Sequence, residues 1–238
     1  MKNVSRLNTM NSTRDHFIQG AIQSWPMIIN AVLFGIVFGI VARDTGLSAI
    51  NTVIMNGLVN AGSSQLIALS IWSDTGIATI AMMVMFVNAR HILMSLTIAN
   101  HVPELMSKKG LIAAYFITDG TWSIAMRHLQ NNPSNVVTLA YIVGSGTAIL
   151  IPWLFAAYFG HTLGGLIPDY TKFGLDFFSA ISFAALLGGM WNGDKNFTPW
   201  AVAAVTSIFL SQFFPIFWSI PIAAIIASLI ATAVNNRE

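Results

Sequence analysis

Residues 82–99 read MMVMFVNARHILMSLTIA, a strongly apolar run with an arginine and a histidine side by side inside it. A helix needs about 20 mainly apolar residues to cross a bilayer, and the segment 76–99 reaches that length. Arg90 falls near its middle, roughly 14 Å from one face of the membrane. A centred arginine costs about 2.5–3.5 kcal/mol on insertion scales. Arg90 must therefore face the helix bundle, a water-filled cavity or an acid rather than lipid.

The composition of the whole chain also indicates that lipid surrounds most of it. Of the 238 residues, 55% are hydrophobic and 8% are charged, whereas soluble domains carry about 25% charged residues. The mean hydropathy is +0.69. There is too little charge to cover a soluble surface, so we predict an all-α integral membrane protein.

Several classes of protein and site are excluded by what the sequence lacks. The net charge of +2, without a basic cluster, argues against a nucleic-acid partner. There is no cysteine for disulfides or thiolate metal sites, and no two histidines have the i, i+4 spacing of a helical metal site. Enzyme motifs of soluble proteins are also missing. We therefore expect neither an enzyme nor a metal or cofactor site.

Hydropathy and charge divide the chain into a polar N-terminal tail (1–16), one transmembrane transport domain (17–234) and a C-terminal tail (235–238). The apolar run after the first tail is too long for a signal-peptide core, which favours a retained span. Within the domain, seven segments are long enough or nearly so to cross the membrane: 17–42, 47–73, 76–99, 110–127, 136–160, 173–191 and 199–234.

The last segment is long for one crossing, and Pro215 and Pro221 interrupt it. It is either two shorter helices or one kinked helix, so we predict a polytopic bundle of seven or eight transmembrane helices. Gly46-Leu47-Ser48 and Gly174-Leu175-Asp176 open two segments alike. This similarity is either an internal repeat or two similar helix starts, in which Asp176 serves as an N-terminal cap.

Glycines inside the segments predict two different things. Gly35/Gly39 and Gly160/Gly164 have the small-xxx-small spacing that lets membrane helices approach closely. Gly144-Ser145-Gly146, followed by Pro152, predicts instead a discontinuous helix whose exposed backbone groups could bind a polar ligand.

Asp119 is the acid that matches Arg90 in type. In a continuous helix over 110–127, it shares one face with Tyr115, Trp122 and Met126. Asp119 either pairs with a cation or carries a proton, and an Arg90–Asp119 pair could also serve only to fix the register of two helices. His91 either titrates near neutral pH in a wet site or donates to a neighbouring helix.

An uncharged polar stripe marks the second segment. Thr52, Asn56, Asn60 and Ser64 follow at strict i+4 steps, and Gln65 comes next. Interhelical hydrogen bonds in membranes average only about 0.6 kcal/mol, so a polar pathway explains a stripe of this length better than adhesion does. Ala61-Gly62-Ser63-Ser64 has low helix propensity and predicts a place where the helix opens.

These elements together resemble the AzlC-type branched-chain amino acid permeases. The resemblance covers about 17–190 and is most specific at AGxxQ and NxRH. It is carried, in order, by Pro26, Phe34-Gly35, Gly39, Gly46-Leu47-Ser48, Ala61-Gly62-Ser63-Ser64-Gln65, Asn88-Ala89-Arg90-His91, Thr118-Asp119 and Phe173-Gly174-Leu175-Asp176-Phe177.

The resemblance implies the large subunit of a secondary exporter for branched-chain amino acids in a bacterial inner membrane, working with a small AzlD-type membrane subunit. A homo-oligomer is a further option. The chain departs from the family where members commonly carry Thr-Asp-Glu, since it has Thr118-Asp119-Gly120. Asp119 is thus left without a neighbouring acid, which argues against a proton mechanism that uses two carboxylates.

The residues and the resemblance together predict proton-coupled export of a small apolar amino acid. Arg90 or half-helix N-termini would hold its carboxylate, and neutral oxygens would hold its ammonium group. We assign substrate binding to Arg90, Asn60, Ser63, Ser64, Gln65 and Asn88, and proton coupling to Asp119 with His91. The alternative is a membrane scaffold or subunit that does not transport, in which the polar stripes only join helices.

Overall fold

Helices form all the regular secondary structure in the part of the chain that the computed structural model describes, residues 12–73, 75–131, 136–165, 194–214 and 216–235. The chain divides into two units, Met1–Ser179 and Ala180–Glu238. The predicted segment 173–191, with Asp176, lies outside the described residues. An all-helical fold agrees with the class predicted from composition.

The described helices of the first unit run in chain order, with a short 3₁₀ turn at Pro103–Met106 between α6 and α7. They are α1 (Thr13–Gln23), α2 (Trp25–Asp44), α3 (Ala49–Val59), α4 (Gly62–Ser70), α5 (Ile77–Asn88), α6 (Arg90–Ala99), α7 (Lys108–Tyr115), α8 (Asp119–Asn131) and α9 (Leu139–Gly164). α1 thus begins before the predicted end of the N-terminal tail.

The second unit contains α10 (Asp194–Leu210) and α11 (Ile216–Asn235). The long apolar segment 199–234 is therefore two helices, one of the two interpretations that its prolines allowed.

Three helical stretches among the described residues are long and apolar enough to cross a membrane: Trp25–Asp44, Ile77–Ala99 and Leu139–Gly164. In the second of them only Ala89 separates α5 from α6. Two shorter apolar helices, Ala49–Val59 and Phe197–Leu210, fall below that length. These stretches fit a helical membrane protein, and a total of seven or eight spans stays a prediction.

The predicted continuous helix over 110–127 is wrong. α7 ends at Tyr115 and α8 begins at Asp119, so Tyr115 does not share a helix face with Asp119, Trp122 and Met126. Two threonines explain the new start. Thr118 N donates to Thr121 Oγ1 over 2.6 Å, and Thr121 N donates back to Thr118 Oγ1 over 3.4 Å. This reciprocal capping satisfies backbone groups that a helix start leaves open.

The predicted break at Gly144–Gly146 and Pro152 is also wrong, because α9 is a single helix of 26 residues with Pro152 inside it. The two glycines serve close packing instead. A Cβ atom at Gly144 would collide with the backbone of Phe17, and one at Gly146 would collide with the side chain of Phe116. Packing against α1 and the end of α7 thus accounts for residues that were interpreted as a weak point.

Close approach of α2 and α9 confirms the packing role predicted for the two small-residue pairs. A Cβ atom at Gly39 would lie 2.6 Å from His161 N and nearer still to Ala157 O. One at Gly160 would meet the backbone of Ile36. The backbones of α2 and α9 therefore touch, which only glycine permits here.

We expect Gly39→Ala to destabilise the protein, because the added methyl group meets backbone atoms that cannot rotate away. Overpacking of this kind costs about 1–3 kcal/mol, which corresponds to a fall in melting temperature of several degrees. The measurement is thermal unfolding of the purified protein in detergent. Gly76→Ala is the matched control, since nothing lies within 4 Å of a Cβ atom there. An unchanged melting temperature for Gly39→Ala would contradict the packing.

A buried imidazole lies where α1, α8 and α9 meet. His128 stacks on Tyr141 with ring centroids 5.0 Å apart, and Tyr141 donates its hydroxyl hydrogen to Gln23 Oε1 over 2.5 Å. Burial lowers the pKa of His128 below its ordinary value, and the neighbouring His16 lowers it further. The unfolded chain therefore takes up this proton more readily than the folded protein does.

Because the pKa of His128 is lower in the folded protein than in the unfolded chain, we expect the melting temperature to fall as the pH drops from about 7 through that lowered pKa. Neutral His128 contributes its full stability above about pH 6.5, the value in an unfolded chain. His128→Gln should flatten this part of the profile of melting temperature against pH. His101→Gln, at an exposed histidine, should leave the profile unchanged, and equal slopes in all three proteins would refute the assignment.

Candidate functional site

The site begins at an interruption between α3 and α4. Asn60 has φ 47° and ψ 37°, the left-handed conformation that asparagine adopts more readily than most residues. Its side-chain Nδ2 donates to Tyr115 O over 3.0 Å, and α4 starts anew at Gly62. The polar segment is thus two helices, and the interruption lies beside the residues at which the sequence predicts an opening.

A second contact ties this interruption to the one between α7 and α8. The Tyr115 hydroxyl donates to Gly57 O in the last turn of α3. Tyr115 therefore bonds to the first interruption through both its backbone and its side chain.

Arg90 joins the starts of three helices. α4 begins at Gly62, α6 at Arg90 and α8 at Asp119. Arg90 Nη2 lies 2.9 Å from Asp119 Oδ2 and donates to Ser63 Oγ over 2.7 Å. We call Arg90, Asp119 and Ser63 the Arg90 node.

The ion pair of the Arg90 node is accessible. The side chains of Arg90 and Asp119 keep 31% and 28% of their surface exposed in the isolated chain. The described helices therefore enclose the pair only partly.

The start of α4 adds a partial positive charge beside the Arg90 node. A helix leaves its first N–H groups without partners inside the helix, and its dipole places partial positive charge there. α4 follows Ala61, whose side chain makes no capping bond. With the Arg90 guanidinium beside it, this helix start is suited to bind an anionic group such as a carboxylate.

The structure brings some predicted residues to the Arg90 node and gives others a bracing role. Ser64 Oγ donates to Ala61 O over 2.9 Å, and Gln65 Nε2 donates to Met55 O over 2.9 Å. Both side chains are buried, and Asn60 contacts Tyr115 as described. Ser63, in the same segment, donates no bracing bond of this kind among the described residues and instead accepts from Arg90.

Asn88 and His91 flank Arg90 at the junction of α5 and α6. His91 Nδ1 lies 3.1 Å from Asn88 O, so this contact is local rather than to a neighbouring helix. Asn88 Oδ1 is buried and has no hydrogen-bond partner among the described residues. It is a free acceptor close in sequence to the ion pair.

The polar stripe of α3 is packed rather than open in this conformation. Thr52 and Asn56 are fully buried. Thr52 Oγ1 donates to Ser48 O over 2.9 Å, and Asn56 Nδ2 donates to Trp153 O on α9 over 3.3 Å. The i+4 series also ends at Asn60, because Ser64 belongs to another helix. The stripe therefore does not line a pathway here.

Sequence reasoning missed the residues that build the second interruption. Thr118 and Thr121 place Asp119 at a helix start rather than within a span. The Thr-x-x-Thr spacing is a recognisable N-terminal signal. Among the described residues, no group of three or more His, Cys, Asp or Glu side chains is placed to hold a metal ion.

Comparison with known proteins adds a family to this geometry. The family model described as AzlC protein matches residues 26–167, a range that contains the whole Arg90 node. The "Branched-chain amino acid transport protein AzlC" of Bacillus subtilis is 26% identical over 175 residues, 72% of this chain and 66% of that protein. The "Inner membrane protein YgaZ" of Escherichia coli is 24% identical over 157 residues, 65% of this chain and 64% of that protein.

An "Uncharacterized membrane protein" of Archaeoglobus fulgidus is 27% identical over 115 residues, 48% of this chain and 51% of that protein. The chain thus matches between half and two thirds of the length of these relatives. No solved structure matches it significantly.

Proposed function

The chain belongs to the AzlC family, and from this premise we propose that it is a secondary transporter that exports branched-chain amino acids in exchange for protons. One relative is named as a branched-chain amino acid transport protein. The observation that carries the proposal is the accessible Arg90–Asp119 pair at the start of α4. The proposed setting is a bacterial inner membrane, with several spans.

The carboxylate of the amino acid binds Arg90 and the first N–H groups of α4. Arginine presents several donors in a planar fork, so Arg90 can keep Ser63 while it turns another N–H toward the substrate. Charge-assisted hydrogen bonds of this kind are worth about 1.5–3 kcal/mol each. They supply affinity that every amino acid shares.

The ammonium group binds oxygens beside Arg90. Asp119 offers a carboxylate, and Ser63 Oγ and Asn88 Oδ1 are neutral acceptors. A zwitterion inserted into the ion pair replaces one charge contact by two, one at each end. Asn60, Ser64 and Gln65 hold the helix start that binds the carboxylate, and apolar side chains nearby select a branched chain.

This arrangement couples substrate to protons by competition. Asp119 binds the ammonium group only when it is ionised, so a proton on Asp119 and an amino acid exclude each other. His91 next to Arg90 passes the proton to or from Asp119. One charge moving through 100 mV releases about 2.3 kcal/mol, which supports a gradient of roughly fifty-fold. A single proton therefore suffices for useful export.

A small AzlD-type membrane subunit is the proposed partner, and the large apolar exposure of Ile77–Ala99 is compatible with it. Ile77 is 86% exposed, and Ile92 and Leu93 are also exposed. Within a membrane such a face contacts either lipid or another transmembrane chain. A second copy of this chain is the other proposed occupant.

The test is transport in vesicles. Purified protein, with and without the small subunit, is reconstituted, and uptake of labelled leucine or valine is followed with and without a pH gradient. We expect accumulation only with the gradient, and melting temperatures raised by leucine, isoleucine and valine but not by aspartate or lysine. A scaffold that does not transport would show neither response. Accumulation that ignores the gradient would contradict proton exchange.

A further inference from the structure

Besides Asn88 Oδ1 beside the Arg90 node, two buried amide oxygens near the end of α3 belong to no hydrogen bond in the described part of the chain. They are Asn56 Oδ1 and Gln65 Oε1, and both side chains have 0% exposure. A buried acceptor without a partner is destabilising, because it has lost its hydrogen bonds to water and gained none in return. Two such oxygens at one helix interruption therefore suggest a ligand.

The amide orientations are fixed by their nitrogen atoms. Asn56 Nδ2 donates to Trp153 O over 3.3 Å, and Gln65 Nε2 donates to Met55 O over 2.9 Å. Rotating either amide by half a turn would place its oxygen against a carbonyl oxygen. Both free atoms are therefore acceptors, and neither can serve as a donor.

Asn56 lies near the end of α3, and the Gln65 amide is hydrogen-bonded to the residue next to it. Gln65 reaches back from α4 to the carbonyl of Met55, the residue before Asn56. The end of α3 is also where the helix dipole places partial negative charge. The site therefore combines two neutral oxygens with a field that favours a cation.

The chemistry of the ligand follows from the charge and burial of these groups. Divalent ions such as Ca²⁺ and Mg²⁺ are bound chiefly by carboxylates, whereas these two ligands are uncharged. Helix ends and backbone carbonyls at interrupted membrane helices hold Na⁺ in transporters. Complete burial favours a single dehydrated ion over an amino acid, which binds at the more accessible Arg90 node.

We propose that Asn56 and Gln65 bind a sodium ion at the end of α3. The ion stabilises the interruption at Asn60 and so the start of α4 at Gly62. This inference goes beyond the proposed transport function, because the site shares no ligand atom with the Arg90 node. The chain would then respond to Na⁺ whether or not an amino acid is present.

The experiment measures melting temperature of the purified full chain in sodium, potassium and choline chloride at equal ionic strength. We expect Na⁺ to raise the melting temperature by several degrees over choline when it is about 100-fold above its dissociation constant. Asn56→Leu and Gln65→Leu should each abolish the Na⁺ response. Gln23→Leu is the matched control, since Gln23 Oε1 already accepts from Tyr141, and it should retain the response.

Each result decides the matter even if one variant does not fold. Equal melting temperatures of the wild-type chain in sodium and choline would overturn the proposal and assign the oxygens to buried water. A response to leucine in choline with no response to Na⁺ would assign them to the cargo's ammonium group, leaving transport intact. A response to Na⁺ without any response to leucine would support the ion site while contradicting the proposed transport.

Discussion

Arg90→Lys should reduce leucine transport by about 100-fold or more while leaving membrane insertion normal. Arg90 Nη2 contacts both Asp119 and Ser63, and the rest of the guanidinium remains to bind a carboxylate. Lysine keeps the charge but presents a single compact ammonium group, which cannot hold all of these partners in one plane. Loss of two charge-assisted bonds at about 1.5–3 kcal/mol each corresponds to a factor of 100 or more.

The measurement compares initial rates of leucine uptake in vesicles at matched protein content. Arg127→Lys is the control, because this exposed arginine lies on α8 away from the helix start and should transport normally. Thermal unfolding reports whether the Arg90 variant is folded. Full activity of Arg90→Lys would show that the guanidinium does not hold the substrate.

Asp119→Asn should abolish accumulation driven by a proton gradient, from about fifty-fold at a gradient worth about 100 mV to no accumulation. Asparagine can still accept a hydrogen bond from Arg90 but cannot take up a proton. We therefore expect exchange of labelled for unlabelled leucine to persist at a reduced rate, because exchange needs binding and movement but no net proton transfer. Weaker binding of the ammonium group accounts for the reduction.

This variant is tested by measuring gradient-driven accumulation and leucine exchange in the same vesicles. Asp44→Asn, at an exposed residue that ends α2, serves as the control and should keep both activities. If Asp119→Asn still accumulates leucine in response to the gradient, the proton is carried elsewhere. Loss of both activities together with a lower melting temperature would point to a structural role for the ion pair.

The pairing of Arg90 with Asp119 could be predicted because charge is rare inside the apolar segments and opposite charges there need each other. The glycine contacts of α2 and α9 could be predicted as a type of contact, although not which helices make it. In both cases a general physical cost limits what the fold can do. An unpaired charge is too unfavourable inside the membrane, and a large side chain does not fit where two helix backbones touch.

The low helix propensity of 61–64 placed the first interruption approximately, but its exact position and the interruption before Asp119 could not be predicted, because both depend on specific hydrogen bonds. Asn60 adopts its left-handed conformation with Tyr115 O, a partner 55 residues away in sequence. At Pro152 the sequence predicts a break that the structure does not have. Packing against α2 and α1 stabilises α9 there, although its local sequence has low helix propensity. Local propensity was overruled by contacts distant in the chain.

Tyr115 has one further consequence for how the molecule can move. Its backbone carbonyl accepts from Asn60 while its hydroxyl donates to Gly57, so the interruption between α3 and α4 is tied to the end of α7. If the proposed transport cycle moved one of these interruptions alone, both hydrogen bonds would have to break. A cycle that keeps them would move the two interruptions together.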